Sequence, residues 1–333
     1  MGTYVRTQEV EAPIGPSGRL TVRTTSADTT ISATDRELAR VRATFEIRAA
    51  SEEEADRVFA ECQLQVERAQ ESLTVSDSKG LTDGMATVLG RIFGQRARVD
   101  ATIEVELPAH AALAFEAVSA DLAATGLRGV QRYRTVSGDL ILNDVGGEVT
   151  VNGVSGDVIV RGAETLGLRA EAVSGDLSAL MPRFSSLRAT SVSGDVEIEG
   201  AFDPAGEHRV DTVSGDLSVG LVGGATFEVR GVSTDVRCRL PHQLSGSADR
   251  RRVIVGDGGA RVLFSSMSGD LSIASPRRLS TEGGPEPRPA ATAATPAPAE
   301  TSGRDELETL RALERGEIDV EEAARRLAGG GAR

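Results

Sequence analysis

The sequence predicts an all-β fold: a single-chain β-solenoid of 18–19-residue coils, with an N-terminal β-rich cap and a small C-terminal helical hairpin. A five-residue pattern, apolar-Ser-small-Asp-apolar, occurs eight times, at intervals of 18 to 21 residues and a last interval of 35. Each short interval holds two strands and two turns, too little to bury a core alone. Aromatic residues make up only 3% of the chain, which suits a narrow interior filled by aliphatic side chains. The copies begin at Val118, Val136, Val154, Val173, Val192, Val213, Val232 and Met267.

Residues 1–107 are predicted to form the N-terminal β-rich cap region with helical inserts. Ser51 and Glu54 make a capping-box signature, which predicts a helix over 52–62. Ser26-Ala27-Asp28 is a candidate degenerate copy of the repeat. Alternating apolar residues predict strands near 20–22, 41–47, 64–66, 73–75 and 99–107.

The insert at 81–93 carries apolar residues on one predicted helical face, followed by arginines. The main interpretation is a helix that plugs the open end of the solenoid. Two alternatives remain: a helix that docks a partner, and a helix that lies on a membrane surface. In the membrane alternative the contacts are Leu89, Ile92 and Phe93.

Residues 108–274 are predicted to be the β-solenoid repeat domain. The interval before Met267 contains 252–255, a Gly-containing turn and 261–264, which predicts a hairpin that interrupts or caps the array.

The repeated corner has a structural interpretation. Glycine supplies a positive φ, and the Ser and Asp oxygens accept backbone N–H bonds that the turn leaves unpaired. The predicted structural turn residues are Ser137, Gly138, Asp139, Ser155, Gly156, Asp157, Ser174, Gly175, Asp176, Ser193, Gly194, Asp195, Ser214, Gly215 and Asp216.

A cation ladder is the alternative for the repeated acids, because stacked carboxylates repel and a hard cation would relieve the repulsion. Its ligands would be Asp139, Asp157, Asp176, Asp195 and Asp216. Calcium-binding β-rolls use a nine-residue glycine-rich repeat, which this chain lacks. We therefore expect neither a metal site nor a cofactor.

The C-terminal part changes composition. Residues 275–303 are rich in Pro, Ala and Thr and predict a disordered linker, and residues 304–333 predict a short helical hairpin. The hairpin is too small to be stable alone, so we expect it to self-associate or to bind a protein partner. Its apolar stripes supply the predicted partner-binding residues Leu307, Leu310, Leu313, Ile318 and Leu327.

Charge and composition bear on partners and location. A net charge of −13 argues against a nucleic-acid partner. The two cysteines, Cys62 and Cys238, are far apart and are expected to be free thiols, as in a reducing compartment. The sequence has neither a signal-like N-terminus nor a run of 18 apolar residues, so the expected location is cytoplasmic, with the inner membrane face as a peripheral alternative.

The sequence contains little that indicates catalysis. The chain has no GxSxG, P-loop, HExxH or well-placed GxGxxG motif. An 18-residue coil is also typical of hexapeptide acyltransferases, but the six-residue apolar period fails here, and His110, His208 and His242 lack orienting carboxylates. We expect the protein not to be an enzyme, with a hexapeptide-type acyltransferase as the least favoured alternative.

The VSGDL and VSGDV copies, with the strand that ends at Leu107-Pro108, resemble the bacterial putative-adhesin domain of unknown function, a β-strand-repeat family, over about 20–274. The segment LETLRALERGEIDVEEAARRL is similar to the SHOCT-like C-terminal hairpin of LiaX/YvlB-type envelope-stress proteins. The resemblance implies an envelope-associated or stress-responsive protein without catalytic residues. The predicted function is a repeat scaffold that mediates protein binding or assembly, and the main alternative is a peripheral membrane-binding protein.

Overall fold

The computed structural model describes residues 2–77, 98–247 and 250–276. One helix and 22 strands occur in these ranges. The N-terminal elements are β1 (Gly2–Pro13), β2 (Arg19–Thr24), β3 (Asp28–Thr34), β4 (Leu38–Ala49), α1 (Glu52–Cys62), β5 (Gln65–Ala69), β6 (Ser72–Ser76) and β7 (Arg98–Pro108). The predicted membrane-contact residues Leu89, Ile92 and Phe93 lie outside the described residues.

Fifteen further strands follow. The first eight are β8 (Ala112–Ser119), β9 (Leu122–Thr125), β10 (Val130–Ser137), β11 (Leu140–Gly153), β12 (Val158–Ser174), β13 (Leu177–Ser193), β14 (Val196–Phe202) and β15 (His208–Ser214). The others are β16 (Leu217–Leu221), β17 (Ala225–Ser233), β18 (Val236–Cys238), β19 (His242–Ser247), β20 (Arg250–Val255), β21 (Ala260–Ser268) and β22 (Leu271–Ala274).

The strands stack as a β-solenoid, which confirms the predicted fold class. Each coil places one strand in a first parallel sheet, turns at the Ser-Gly-Asp corner, and places the next strand in a second parallel sheet. The long strands β11, β12 and β13 bend at mid-length, so each gives its first half to the second sheet and its second half to the first. Nine coils stacked at the spacing of hydrogen-bonded strands are about 40 Å long.

The core lies between the two sheets. Alternate residues of each strand point inward and are buried, as the pattern of β8 and β10 shows. Most are Val, Leu, Ile or Ala, and the largest fully buried side chains include Tyr133, Phe115 and Phe264. The low aromatic content therefore fits an interior in which each coil has room for few rings.

The N-terminal end is extended by flanking strands. In the first sheet β6 and then β5 continue beyond β2, and in the second sheet β7, β4 and β1 continue beyond β3. Helix α1 has the predicted bounds: the Ser51 hydroxyl accepts a bond from the Glu54 N–H, and the Glu54 carboxylate accepts one from the Ala50 N–H. The helix packs on β4, where Phe59 meets Phe45 edge to face.

The C-terminal end departs from the order of the sequence. Strand β21 lies between β15 and β17, parallel to both, and β22 likewise lies between β16 and β18. The coil of residues 260–274 is therefore inserted between two coils that precede it in the chain.

The predicted hairpin of 252–255 with 261–264 is wrong. Strand β20 pairs antiparallel with β17 on one side and β19 on the other, whereas β21 lies on the opposite side of β17. The reason is that residues 260–274 carry a whole copy of the repeat, so β21 completes a coil and leaves β20 to pair with β19. Gly256 and Gly258, both at positive φ, turn the chain across the end of β17.

Candidate functional site: the Ser-Gly-Asp edge

The repeated corners line up along one edge of the solenoid. Each corner packs its backbone against the corner of the preceding coil: a Cβ on Gly175 would lie 2.2 Å from the carbonyl oxygen of Gly156. Gly138, Gly156, Gly194 and Gly215 face the same obstruction, and all five adopt positive φ. Glycine is required here by both close approach and backbone conformation.

The ends of the edge differ. Ala27 and Ala120 take the glycine position in the first two coils of the stack, and Thr234 takes it in the last. None of these three has a positive φ, so these corners have a different backbone shape. The Thr234 hydroxyl is buried without a hydrogen-bond partner among the described residues.

The aspartates form a continuous ladder. In each step the Oδ1 atom of one Asp accepts a bond from the backbone N–H of the Asp in the next coil, at 2.8–3.1 Å. In stacking order the ladder runs Asp28, Asp121, Asp139, Asp157, Asp176, Asp195, Asp216, Asp270 and Asp235. Asp28 joins as its first member, which places the candidate copy at Ser26-Ala27-Asp28 in the array. Each bond between a carboxylate and a backbone N–H fixes the spacing of two coils.

Eight of the nine ladder carboxylates accept a backbone N–H through their Oδ1 atoms, and the last, Asp235, lies 3.9 Å from Arg251. Among the described residues, no group of three or more His, Cys, Asp or Glu side chains could hold a metal ion. The geometry therefore supplies a structural role for Asp139, Asp157, Asp176, Asp195 and Asp216.

Beside the ladder runs an apolar ridge. It consists of the residues that open each copy of the repeat, in the stacking order Val118, Val136, Val154, Val173, Val192, Val213, Met267 and Val232. Their exposed fractions range from 44% to 86%. A contiguous exposed apolar row is uncommon on a soluble monomer and typically marks a contact surface.

Strand alternation explains the exposure. In β10 the side chains of Tyr133 and Thr135 point inward and are buried, so Val136 points outward. This signal was available in the sequence, because counting in steps of two from the buried positions places every opening residue outside.

On the side of the ridge away from the ladder, arginines point outward from the first sheet. Each stands four residues before a ridge valine in the sequence. Arg169, Arg188 and Arg209 are in direct register on consecutive coils, and Arg132 lies two coils from Arg169, with Thr150 between them. We call these four residues the arginine row. Arg169 pairs with Glu171 at 2.7 Å and Arg209 with Asp211 at 2.6 Å, whereas Arg132 and Arg188 have no ion pair among the described residues.

The three histidines differ in solvent exposure. His110 and His242 are exposed, and His208 is 1% exposed against the ring of Phe202. Its Nε2 lies 2.8 Å from the carbonyl oxygen of Asp203, and its Nδ1 is buried without a partner among the described residues. Burial lowers the pKa of His208, although the contact with Asp203 opposes that shift.

The family profile of Toastrack DUF4097 matches residues 18–274, about three quarters of the chain. The chain belongs to the Toastrack DUF4097 family. No curated protein matches it. The match covers the nine coils and the Ser-Gly-Asp edge, so the ladder, the apolar ridge and the arginine row all belong to the Toastrack domain.

Three solved structures match most of the chain at low identity. A putative adhesin from Bacteroides fragilis NCTC 9343 has 14% identity and a TM-score of 0.41, covering 81% of this chain and 97% of its own. A putative lipid binding protein from Parabacteroides distasonis ATCC 8503 has 12% identity and a TM-score of 0.39, with coverage of 80% and 96%. A putative cell adhesion protein from Clostridium sporogenes ATCC 15579 has 11% identity and a TM-score of 0.28, with coverage of 82% and 99%.

Two remaining predictions concern other parts of the chain. Cys62 and Cys238 are both free, as the sequence indicates. The predicted partner-binding residues Leu307, Leu310, Leu313, Ile318 and Leu327 lie outside the described residues.

In the described ranges, no helix has both the length and the apolar character needed to cross a membrane.

Proposed function

We propose that this Toastrack protein is a non-enzymatic scaffold that binds a protein along its Ser-Gly-Asp edge. The observation that supports the proposal is the apolar ridge: eight outward side chains on consecutive coils, in a row beside the Asp ladder. Burial of this row against a partner would stabilise the complex by about 25 cal/mol for each Å² of apolar surface removed from water.

The rigidity of the edge supports a binding role. The ridge residues stand on strands hydrogen-bonded on both sides, and the adjoining corners are held by the ladder. A surface already ordered in the free protein loses little conformational entropy on association, so more of the contact energy appears as affinity.

The C-terminal segment extends the proposal. The SHOCT-like hairpin of 304–333, tethered through the linker of 275–303, would recruit a second partner at a raised local concentration. We place the scaffold in the cytoplasm, in an envelope-stress role, on the support of its two free thiols and the resemblance of its tail to LiaX/YvlB-type proteins.

Affinity capture on the full-length protein tests the proposal. The double variant Val154→Glu/Val192→Glu places charges on the ridge, and Val222→Glu is the matched control. Val222 is 45% exposed, like the ridge valines, but follows β16 at the opposite edge of the coil. A protein retained by the wild type and by the control, but lost from the ridge variant, is the expected result. Equal retention by all three proteins would contradict the proposal.

A further inference from the structure

The spacing of the apolar ridge restricts what can cover it. Its side chains repeat once per coil, at the strand spacing of about 4.8 Å. A helix laid along the ridge presents side chains about every 5.4 Å, and an extended strand about every 6.6 Å. Over seven intervals a helix drifts by about 4 Å and a strand by much more. A partner that meets every ridge residue in the same way must itself repeat at the coil spacing.

A second copy of this chain has that repeat. When the ridges of two copies face each other, their side chains have the same spacing, so each ridge residue can contact one of the partner ridge. This is the arrangement expected for an isologous twofold interface. The charges beside the ridge then select between the two ways of pairing the copies.

The ridge lies between the Asp ladder on one side and the arginine row on the other. Within the described ranges, Arg132 and Arg188 carry the unpaired positive charge of that row, because Arg169 is paired with Glu171 and Arg209 with Asp211. A twofold axis parallel to the stack places the ladder of each copy over the arginine side of the other. An antiparallel arrangement would place ladder over ladder, where like charges repel. In the middle of the ladder, Asp139 to Asp216 have no ion pair among the described residues, and neither do Arg132 and Arg188.

The surface is large enough. The strip from the arginine row to the ladder is about 20 Å wide, and nine coils are about 40 Å long, which gives roughly 800 Å² per copy. That area is the usual share of one partner in a stable protein–protein interface.

We propose that two copies of the chain associate through their apolar ridges, side by side and parallel, with the Asp ladder of each facing the arginine row of the other. This inference rests on the proposed function and names the partner of the same surface. It makes the scaffold a dimer with both solenoids pointing the same way.

The mass of the purified full-length protein in solution is the first test. We expect a dimer, with Val154→Glu/Val192→Glu shifted to the monomer mass and Val222→Glu unchanged; unchanged β-sheet circular dichroism verifies that each variant folds. A wild-type monomer at about 100 μM overturns the inference, since the free energy of association would then be weaker than about −5.5 kcal/mol. A dimer that survives the ridge substitutions also overturns it.

The relative direction of the copies needs a second experiment. In a Cys62→Ser/Cys238→Ser background, Val118→Cys places one thiol at the N-terminal end of the ridge. Parallel copies bring the two thiols together, so a short bismaleimide should join them. In an antiparallel dimer, Val118→Cys would instead crosslink to Val232→Cys in mixed samples, and that result overturns the parallel arrangement. Because no other protein is present, a monomeric result leaves binding of a different partner to the capture experiment.

Discussion

The Oδ1 atom of Asp216 lies 2.8 Å from the backbone nitrogen of Asp270, 54 residues further along the chain. Asp270 in turn accepts the backbone N–H of Asp235 at 2.9 Å, which returns the ladder to an earlier part of the sequence. The last coil in the sequence is thus an internal coil in the stack. The coil of 225–238 therefore pairs with the rest of the stack through this inserted coil.

Amide hydrogen exchange should reveal this order. Strand β21 is hydrogen-bonded to β15 and β17, whereas β19 pairs only with β20 among the described strands. We expect β21 amides to exchange as slowly as those of β15, and β19 amides to exchange fastest at this end. Exchange of β21 as fast as that of β19 would contradict the inserted position.

Removal of one ladder carboxylate should destabilise the solenoid modestly. Asp176 accepts the backbone N–H of Asp195 at 2.8 Å, so Asp176→Ala leaves that donor to water. We expect a loss of about 1 kcal/mol in the free energy of unfolding, measured by urea denaturation. Asp176→Asn keeps an acceptor oxygen and should lose less.

The control for that measurement is Asp35→Ala, because Asp35 is exposed and lies outside the ladder. It should change the free energy of unfolding by less than about 0.5 kcal/mol. If Asp176→Ala costs no more than Asp35→Ala, the ladder bonds do not stabilise the stack.

A side chain at a central corner should be much less tolerated. Gly175 has φ +119, and an added Cβ would lie 2.2 Å from the backbone oxygen of Gly156. Gly223 also has a positive φ, +83, but nothing lies within 4 Å of its added Cβ. We expect about 1 kcal/mol for Gly223→Ala, from backbone strain alone, and at least about 2 kcal/mol more for Gly175→Ala. Equal losses in thermal or urea unfolding would show that the coils separate easily.

The repeat explains how much of this fold the sequence could predict. The regular return of Gly and Asp indicates coils that stack corner on corner, since Gly175 and Asp176 each satisfy a requirement that only the neighbouring coil imposes. Stacking order is a different matter. Whether β21 pairs with β20 or enters beside β15 depends on contacts between distant segments, and no local pattern encodes them.

The candidate site was only half predictable. The corner residues carry a recognisable motif, but the ridge is defined by exposure, and an apolar letter in a strand is ordinarily assigned to the core. Val136 follows the buried Thr135, so the inward row of this strand includes a polar residue while the outward row includes a valine. Alternation of side chains, rather than hydrophobicity, identifies the contact surface.

His208 should make stability depend on pH. Burial holds the pKa of His208 below the ordinary value of 6.5, so the folded protein resists a proton that the unfolded chain accepts. The free energy of unfolding therefore keeps this contribution above about pH 6.5. Below that pH the unfolded chain binds a proton that the folded protein does not, so the free energy of unfolding falls by at most about 1.4 kcal/mol per pH unit. His208→Leu, which suits a column that contains the buried Leu187 and Val262, should lack this component.

The measurement compares urea midpoints of the wild type and His208→Leu from pH 7.5 to 5.5. Because both carry the same carboxylates, the difference between their slopes isolates His208, and parallel slopes would mean that the ring is protonated without cost in the fold.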